Sequence, residues 1–263
     1  MSETATGRDR ARQASVIAAL AATLVVNALS NALPIAGRTA KEVSDLYASP
    51  FTPAGFTFAI WGVIYLGLIA YAAYQALPVN AANPRLRATG WLFVLSCGLN
   101  CSWLFAWHNL LIGLTVPLML ALLLSLIAIH GRLRYGTRVP PVEGAVVRLP
   151  FSIYLGWITV ATVANVTALL VSLGARNLLG INGEVWAVIV TFVAAGLGLA
   201  FSRQFGDIPY NLVLLWAFFG IISAQASTNT TTYGVLAAGV LVLAAMLFLR
   251  PTQGGMREQG TGA

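Results

Sequence analysis

The sequence predicts an all-α membrane protein, a polytopic bundle of about eight transmembrane helices with both termini in the cytoplasm. Composition is the first observation, because 58% of the residues are hydrophobic and only 9% are charged, whereas soluble domains carry about 25% charged residues. The second observation is a series of apolar runs long enough to cross a bilayer, which takes about 20 residues. The third is the placement of the basic residues between these runs.

Eight apolar runs are present, and each is predicted to be a transmembrane helix. They lie at residues 16–35, 54–77, 88–107, 110–130, 147–172, 184–203, 209–226 and 232–250. Backbone polar groups in lipid must be hydrogen-bonded within their own segment, so continuous apolar runs form helices rather than open strands. The seventh run is the shortest and begins at Pro209. Proline is well tolerated in the first turn of a helix, so this run is also predicted to be helical.

Lysine and arginine are distributed unequally between the two sides of the predicted bundle. With the N-terminus in the cytoplasm, only Arg38, Lys41 and Arg176 of the 15 basic residues fall outside. An excess of basic residues in cytoplasmic connections is the usual determinant of orientation. We therefore predict an integral protein of the bacterial cytoplasmic membrane, in contact with the lipid bilayer. Residues 1–15 are predicted to form a cytoplasmic tail and residues 251–263 a disordered one.

Several function classes lack the residues that they need. The basic residues lie in short connections rather than on one soluble face, so nucleic-acid binding is not expected. None of the eight Asp and Glu residues falls at mid-depth in a predicted helix, which disfavours an ion-driven transporter. Cys97 and Cys101 are too few for a zinc site, and His108 and His130 are predicted to be interfacial residues on opposite sides of the membrane. We predict no metal site, no catalytic residue and no required cofactor.

The longest outer connection lies near residues 36–53. Prolines occur on both sides of its stretch from Thr39 to Leu46. This stretch is predicted to form a short amphipathic helix that lies across the mouth of the bundle.

Polar and aromatic residues gather in the second, third and fifth predicted helices. Asn100 and Asn165 lie at mid-depth, where an amide facing lipid is costly, so both are expected to face protein or a cavity. Trp91 and Trp107 lie near helix ends and are predicted to belong to the interfacial aromatic belt. The remaining aromatic residues suit a cavity for a flat, largely apolar ligand. Hydrogen bonding between helices without any ligand explains the same residues equally well.

Three motifs follow one another along these helices. The second helix carries Trp61-Gly-Val-Ile-Tyr65, the third carries Gly98-Leu-Asn100-Cys-Ser-Trp103-Leu-Phe105, and the fifth carries Tyr154-x-x-Trp157-x-x-x-Ala161-x-x-x-Asn165. In this order the motifs resemble the TspO/translocator-protein family, also called the tryptophan-rich sensory proteins. The resemblance covers residues 16–174, which is the five-helix bundle of the usual family fold. Residues 184–250 are predicted to add a three-helix membrane extension.

The resemblance implies a ligand pocket inside the five-helix bundle that binds porphyrins or haem. It also implies that eight residues line or support the pocket: Trp61, Tyr65, Asn100, Trp103, Tyr154, Trp157, Ala161 and Asn165. Ordinary family members dimerise, so a homodimer is a further expectation. The three-helix extension could occupy that dimer surface or supply a second half to a transport path, and the sequence does not choose between these. Some members break down porphyrins in light, but this chain has Pro53-Ala-Gly-Phe56 where the family usually has a tryptophan. Enzymatic activity is therefore not predicted.

Three functions follow from this reasoning. The first is a sensory or binding protein for a hydrophobic small molecule, of which a tetrapyrrole is the leading candidate. The alternative is a transporter or permease that uses all eight helices and the same cavity. An enzyme acting on a membrane-soluble substrate is the least favoured, because the sequence offers no acid–base set.

Overall fold

A computed structural model describes residues 5–33, 35–133, 138–174, 181–225 and 229–249. All the regular structure of these residues is helical, which confirms the predicted all-α membrane bundle. The helices are α1 Gly7–Ala32, α2 Ala40–Leu46, α3 Ile60–Ala76, α4 Pro84–His108, α5 Ile112–Arg132, α6 Leu149–Ser172, α7 Gly183–Phe205, α8 Ile208–Ala224 and α9 Asn229–Phe248. Short 3-10 turns occur at Ile35–Gly37, Gly55–Ala59 and Pro78–Asn80, and a helical turn at Pro141–Glu143 and a π-helical turn at Gly144–Arg148 lead into α6.

Each of the eight predicted transmembrane segments overlaps one of the long helices. Seven helical segments of the described chain are long and apolar enough to cross a membrane. The eighth, α8, is apolar but has 17 residues, and at about 1.5 Å per residue it is about 25 Å long. The chain is therefore an integral membrane protein. The predicted tail at 251–263, the residues Arg176 and Arg250, and the predicted helix end at 226 lie outside the described residues.

The first helix begins earlier than its apolar run. Thr6 and Asp9 form a capping box: the Thr6 amide donates to the Asp9 carboxylate at 2.9 Å and the Asp9 amide to the Thr6 hydroxyl at 3.4 Å. Such reciprocal caps satisfy free backbone amides at a helix N-terminus. As a result residues 7–15, predicted to be part of a tail, belong to α1. A second difference occurs before α3, where residues 55–59 of the predicted helix form a 3-10 turn.

The helices pack as a continuous series. Helix α4 lies against α1 and α5, α5 lies against α6, α6 lies against α8, and α9 packs on both α7 and α8. A Cβ atom at Gly198 of α7 would come within 2.8 Å of Leu214 Cδ1 on α8, so this glycine permits a close approach of two helices. The division of the chain into regions 16–174 and 184–250 stays a prediction.

Several of the described basic residues that are predicted to be cytoplasmic gather at one end of the bundle, called here the inner end. Arg87 Nη2 lies 2.7 Å from the Asp9 carboxylate, and Arg85 Nη2 lies 2.8 Å from that of Glu143. Arg12 donates to the Ala81 carbonyl at 2.8 Å. The start of α1, the start of α4 and the turn before α6 therefore meet at the side that the charge pattern assigns to the cytoplasm.

His130 is a buried residue of this inner end rather than the interfacial residue predicted from the sequence. Its side chain is 2% exposed, and Nε2 lies 2.9 Å from the Asp207 carboxylate. Ser152 donates to the other oxygen of Asp207, which also accepts the Tyr210 amide at 3.2 Å. Asp207 caps α8, so its carboxylate joins α5, α6 and α8. No local pattern in the sequence predicts this cluster, because three distant segments contribute to it.

Candidate functional site

A cavity of about 510 Å³ lies in the outer half of the bundle. It is bordered by the end of α1, the start of α3, the end of α4, the second half of α6, and the connection between α1 and α3. Lys41 and Ser44 of α2 contribute to its rim. This confirms that a short helix lies at the mouth of the bundle. The volume is typical of small-molecule sites, which usually measure about 300–1,000 Å³.

Six of the eight residues that the family resemblance points to line this cavity. They are Trp61, Tyr65, Trp103, Trp157, Ala161 and Asn165. They reach it from α3, α4 and α6, so three helices that are separate in sequence are brought together around one space. Their role in binding stays a prediction.

The other two, Asn100 and Tyr154, lie behind the cavity wall. Asn100 Nδ2 donates to the Tyr154 hydroxyl at 3.2 Å, and Asn100 Oδ1 accepts from Asn27 Nδ2 at 3.1 Å. Both Asn100 and Tyr154 are buried, while Asn27 lines the cavity. This chain of side chains joins α1, α4 and α6 and supports the wall. Asn100 thus meets the expectation that it faces protein.

Aromatic rings form much of the cavity surface on α3 and α6. Trp61 stacks on Tyr65 with ring centroids 5.4 Å apart and an interplanar angle of 23°. The edge of Trp157 meets Trp61 at 6.3 Å and Phe58 at 6.0 Å. Such offset and edge-to-face contacts are favourable geometries for aromatic pairs. They hold the rings so that their faces and edges border the cavity in fixed orientations.

On α4, Trp107 is part of the cavity wall rather than of the interfacial belt. It stacks on Trp103 at 5.7 Å, and its indole nitrogen donates to the Ala40 carbonyl at 3.0 Å. That bond ties the mouth helix α2 to α4. Trp91 differs, since its side chain is 56% exposed at the bundle surface, as expected of a membrane-facing tryptophan. Position near a helix end therefore does not distinguish a wall residue from a belt residue.

Asn165 accepts a hydrogen bond inside the cavity wall. The indole nitrogen of Trp103 donates to its Oδ1 at 3.1 Å, and Nδ2 of Asn165 donates to the Ala161 carbonyl at 3.2 Å. Both polar atoms of the Asn165 side chain are therefore hydrogen-bonded within the protein. We conclude that Asn165 orients Trp103 in the wall.

Two hydrogen-bond donors of the cavity have no partner among the described residues. The Trp157 indole nitrogen and the Tyr65 hydroxyl are both buried without a hydrogen bond, and the Trp157 side chain is only 4% exposed. A buried polar group without a partner is costly, and most such groups in proteins are satisfied. Their position at a cavity allows a bound molecule with acceptor atoms to satisfy them.

The sequence predicted the mouth helix α2, but it did not predict which residues of this helix line the cavity. Its N-terminus is capped by Thr39, whose amide donates to the Glu42 carboxylate at 2.7 Å. Hydrogen bonds from the Thr39 amide and then from its hydroxyl lower the pKa of Glu42 below its usual value. Lys41 lines the cavity and lies 2.6 Å from the Asp45 carboxylate in an exposed pair. The site rim is therefore polar, whereas its interior is aromatic.

A second cavity of about 500 Å³ lies between α6 and α7. Its surface is mainly aliphatic, with Val163, Val166 and Val190 among the lining residues. Ser49 and Phe51 line this cavity as well as the first. The chain from Ser49 to Phe51 is thus a partition between two spaces.

Within the described residues, no group of three or more His, Cys, Asp or Glu side chains lies close enough to hold a metal ion. Ser152 and His130 each hydrogen-bond to one oxygen of the Asp207 carboxylate. The hydrogen bonds of the Asp207 carboxylate link helices α5, α6 and α8.

Comparison with known protein families gives one match. A family model described as "TSPO-like protein" matches residues 13–249, which is most of the chain. The matched region runs from α1 through α9, so it includes the three helices beyond the five-helix bundle. No curated protein and no solved structure matches the chain in the same comparisons.

Proposed function

Because the chain belongs to the TSPO-like family, we propose that it binds a tetrapyrrole such as protoporphyrin or haem in the outer cavity. Membership of this family suggests a membrane ligand-binding or sensory protein, and the family is generally non-enzymatic. We further propose that the protein acts in the cytoplasmic membrane of a bacterium.

One observation carries the proposal: the unpartnered indole nitrogen of Trp157 lies at a cavity bordered by aromatic rings. Aromatic faces favour a flat π system, on which they can stack. The free donor favours a ligand with acceptor atoms, because burying a donor without a partner is unfavourable. A tetrapyrrole combines a large flat ring with ring nitrogens and carboxylate groups.

The rim of the cavity supports the same ligand class. Lys41 is a cationic side chain that lines this cavity, and it pairs with the exposed Asp45. A ligand whose ring lies among Trp61, Tyr65 and Trp157 would reach the rim with its carboxylates. Pairing with Lys41 there would be exposed and contribute modestly, at most about 1 kcal/mol.

The test is a titration of the purified protein in lipid nanodiscs with protoporphyrin, followed by the Soret absorption of the porphyrin. We expect saturable binding. Trp157→Phe keeps an aromatic ring but removes the free donor, and it is expected to lower affinity about tenfold, the equivalent of one lost hydrogen bond. Trp91→Phe, at the exposed surface of α4, is the matched control and is expected to bind as the unmodified protein does.

The outcomes are distinct. Absorption that changes linearly with porphyrin, or equal weakening by Trp91→Phe and Trp157→Phe, would overturn the proposal, since both indicate partition into lipid or general loss of structure. Saturable uptake of porphyrin into proteoliposomes that depends on Trp157 would instead identify a transporter that uses the same cavity.

A further inference from the structure

Helix α8, which lies outside the five-helix bundle, and its C-cap residue Gln225 make three hydrogen bonds to the segment before α3. The Ala54 amide donates to the Gly220 carbonyl at 2.9 Å. The Trp216 indole nitrogen donates to the Thr57 carbonyl at 3.0 Å, and Gln225 Nε2 donates to the Ser49 carbonyl at 3.4 Å. These bonds are spread over residues 49–57, so α8 holds this segment at several points along its length.

Packing reinforces the hydrogen bonds. The Phe56 ring lies 5.5 Å from that of Trp216 and 5.6 Å from that of Phe219, measured between centroids. Thr57 is fully buried and lies directly on Gly220. A Cβ atom at Gly220 would come within 2.9 Å of Thr57 Cγ2, and closer still to its hydroxyl oxygen. The position therefore requires a residue without a side chain, which is a recognised use of glycine where two segments meet closely.

The segment held in this way forms a wall of the outer cavity. Its residues at the cavity surface are Ser49, Phe51, Thr52, Pro53 and Phe58. Ser49 and Phe51 also border the second cavity, so the wall has open space on two sides. Its own turn supplies local hydrogen bonds, among them those from the Thr52 amide to the Ser49 carbonyl and from the Ser49 amide to Thr52 Oγ1, both at 2.9 Å. The three bonds with α8 and its C-cap reach this stretch from a part of the chain that is distant in sequence.

We propose that α8 positions this wall for the ligand, so that Gly220 and Trp216 are positioning residues of the binding site although neither lines the cavity. The inference rests on the proposed function of the cavity. The proposal gives a role to α8, one of the three helices beyond the five-helix bundle. This helix helps to complete a site whose other walls come from α1, α3, α4 and α6.

The test replaces Gly220, which lies against Thr57, and measures two properties: the affinity for protoporphyrin and the reaction rate of a thiol placed in the wall. Gly220→Ala is expected to weaken protoporphyrin binding about tenfold, comparable to one lost interaction of ordinary strength. Alanine favours a helix more than glycine does, so a weaker α8 does not explain such a loss. Gly196→Ala on α7 is the matched control, because no atom lies within 4 Å of the added Cβ; it is expected to leave affinity unchanged.

A second substitution at Thr57 distinguishes a misplaced wall from a general loss of structure. In the double variant Gly220→Ala with Thr57→Ala, the threonine atoms nearest the new methyl group are gone, and the remaining Cβ lies 3.0 Å away. We expect most of the affinity to return. Trp216→Phe removes only the donor to the Thr57 carbonyl and is expected to give a smaller loss. Unchanged affinity in Gly220→Ala, or a loss that Thr57→Ala does not repair, would overturn the proposal.

A second readout does not need a ligand. With Cys97 and Cys101 replaced by alanine, the single thiol of Ser49→Cys reports on the wall through its rate of reaction with a maleimide. We expect Gly220→Ala to change that rate at least about threefold, Gly196→Ala to leave it unchanged, and Thr57→Ala to restore it. If porphyrin fails to bind but the rate still responds, the proposed function fails and the positioning by α8 stands. An unresponsive rate overturns the positioning.

Discussion

The buried carboxylates at the inner end of the bundle have partners, whereas two buried donors at the outer cavity have none. At the inner end the carboxylates of Asp9, Glu143 and Asp207 each have a basic or histidine partner at 2.7 to 2.9 Å. At the outer cavity the Trp157 indole nitrogen and the Tyr65 hydroxyl have no partner among the described residues. Paired carboxylates hold helices together, whereas unpaired donors at a cavity are available to another molecule. Arg12 at the inner end also has two buried nitrogens, Nε and Nη1, without a partner among the described residues. Trp157 and Tyr65 are therefore candidate binding residues because their free donors lie at a cavity.

The largest effect is expected at the inner end, from Asp207→Ala. The substitution leaves His130, Ser152 and the Tyr210 amide without their common acceptor. Removal of one partner from a buried pair costs about 3–5 kcal/mol, so we expect a loss of that order in the unfolding free energy in mixed micelles. Glu184→Ala, at the first turn of α7, is the matched control and should cost less than about 1 kcal/mol.

Asp207→Ala also tests whether ligand affinity at the outer cavity is independent of stability at the inner end. Asp207 lies at the end of the bundle away from the cavity, so the folded fraction of Asp207→Ala should bind protoporphyrin with unchanged affinity. Asp207→Asn, which keeps the shape of the side chain, provides the measurement if the alanine variant does not fold. A tenfold loss of affinity in the asparagine variant would remove the distinction between structural and binding ends.

Tyr65→Phe at the cavity is expected to have a smaller effect on the unfolding free energy, and one of opposite sign. The hydroxyl removed has no partner, so the unfolding free energy of the empty protein should stay the same or rise by up to about 1 kcal/mol. Affinity for protoporphyrin should fall, because the ligand loses a donor. Tyr210→Phe is the matched comparison: that hydroxyl donates to Thr159 at 3.1 Å, and its removal should cost about 1 kcal/mol. Equal losses of stability in the two variants would contradict the prediction.

The smallest effect concerns pH and the mouth helix α2. The pKa of Glu42 is lowered by the amide and hydroxyl of Thr39, so its contribution to the cap of α2 is complete above the usual glutamate pKa of about 4.3. The contribution is lost as pH falls through the lowered value. We expect ligand affinity to weaken slightly on acidification in that range, and less so in Glu42→Gln, whose amide does not titrate. An identical pH profile in both proteins would show that this cap has no effect on the site.

Much of the site follows from the family resemblance, because the residue pattern alone is explained equally well by helix packing without a ligand. The resemblance implies that Trp61, Trp157 and Asn165 belong to the pocket, and all three line the cavity. Asn27 and Trp107 were not recognised as cavity residues, although both also line it. In a membrane helix the lipid-facing surface is as apolar as the packed surface, so the sequence pattern does not reveal which way such residues point.

The sequence by itself determined the number of helices, their approximate bounds and the end of the bundle that carries the basic residues. These properties depend on the length and hydropathy of single segments, and on the cost of leaving backbone groups unpaired or charges buried in lipid. Only the tertiary structure decided that Asp207 meets His130 and that Gly220 lies on Thr57. The partners in each pair are 77 or more residues apart. Contacts between such distant segments follow from how helices pack, and no local pattern in the chain specifies them.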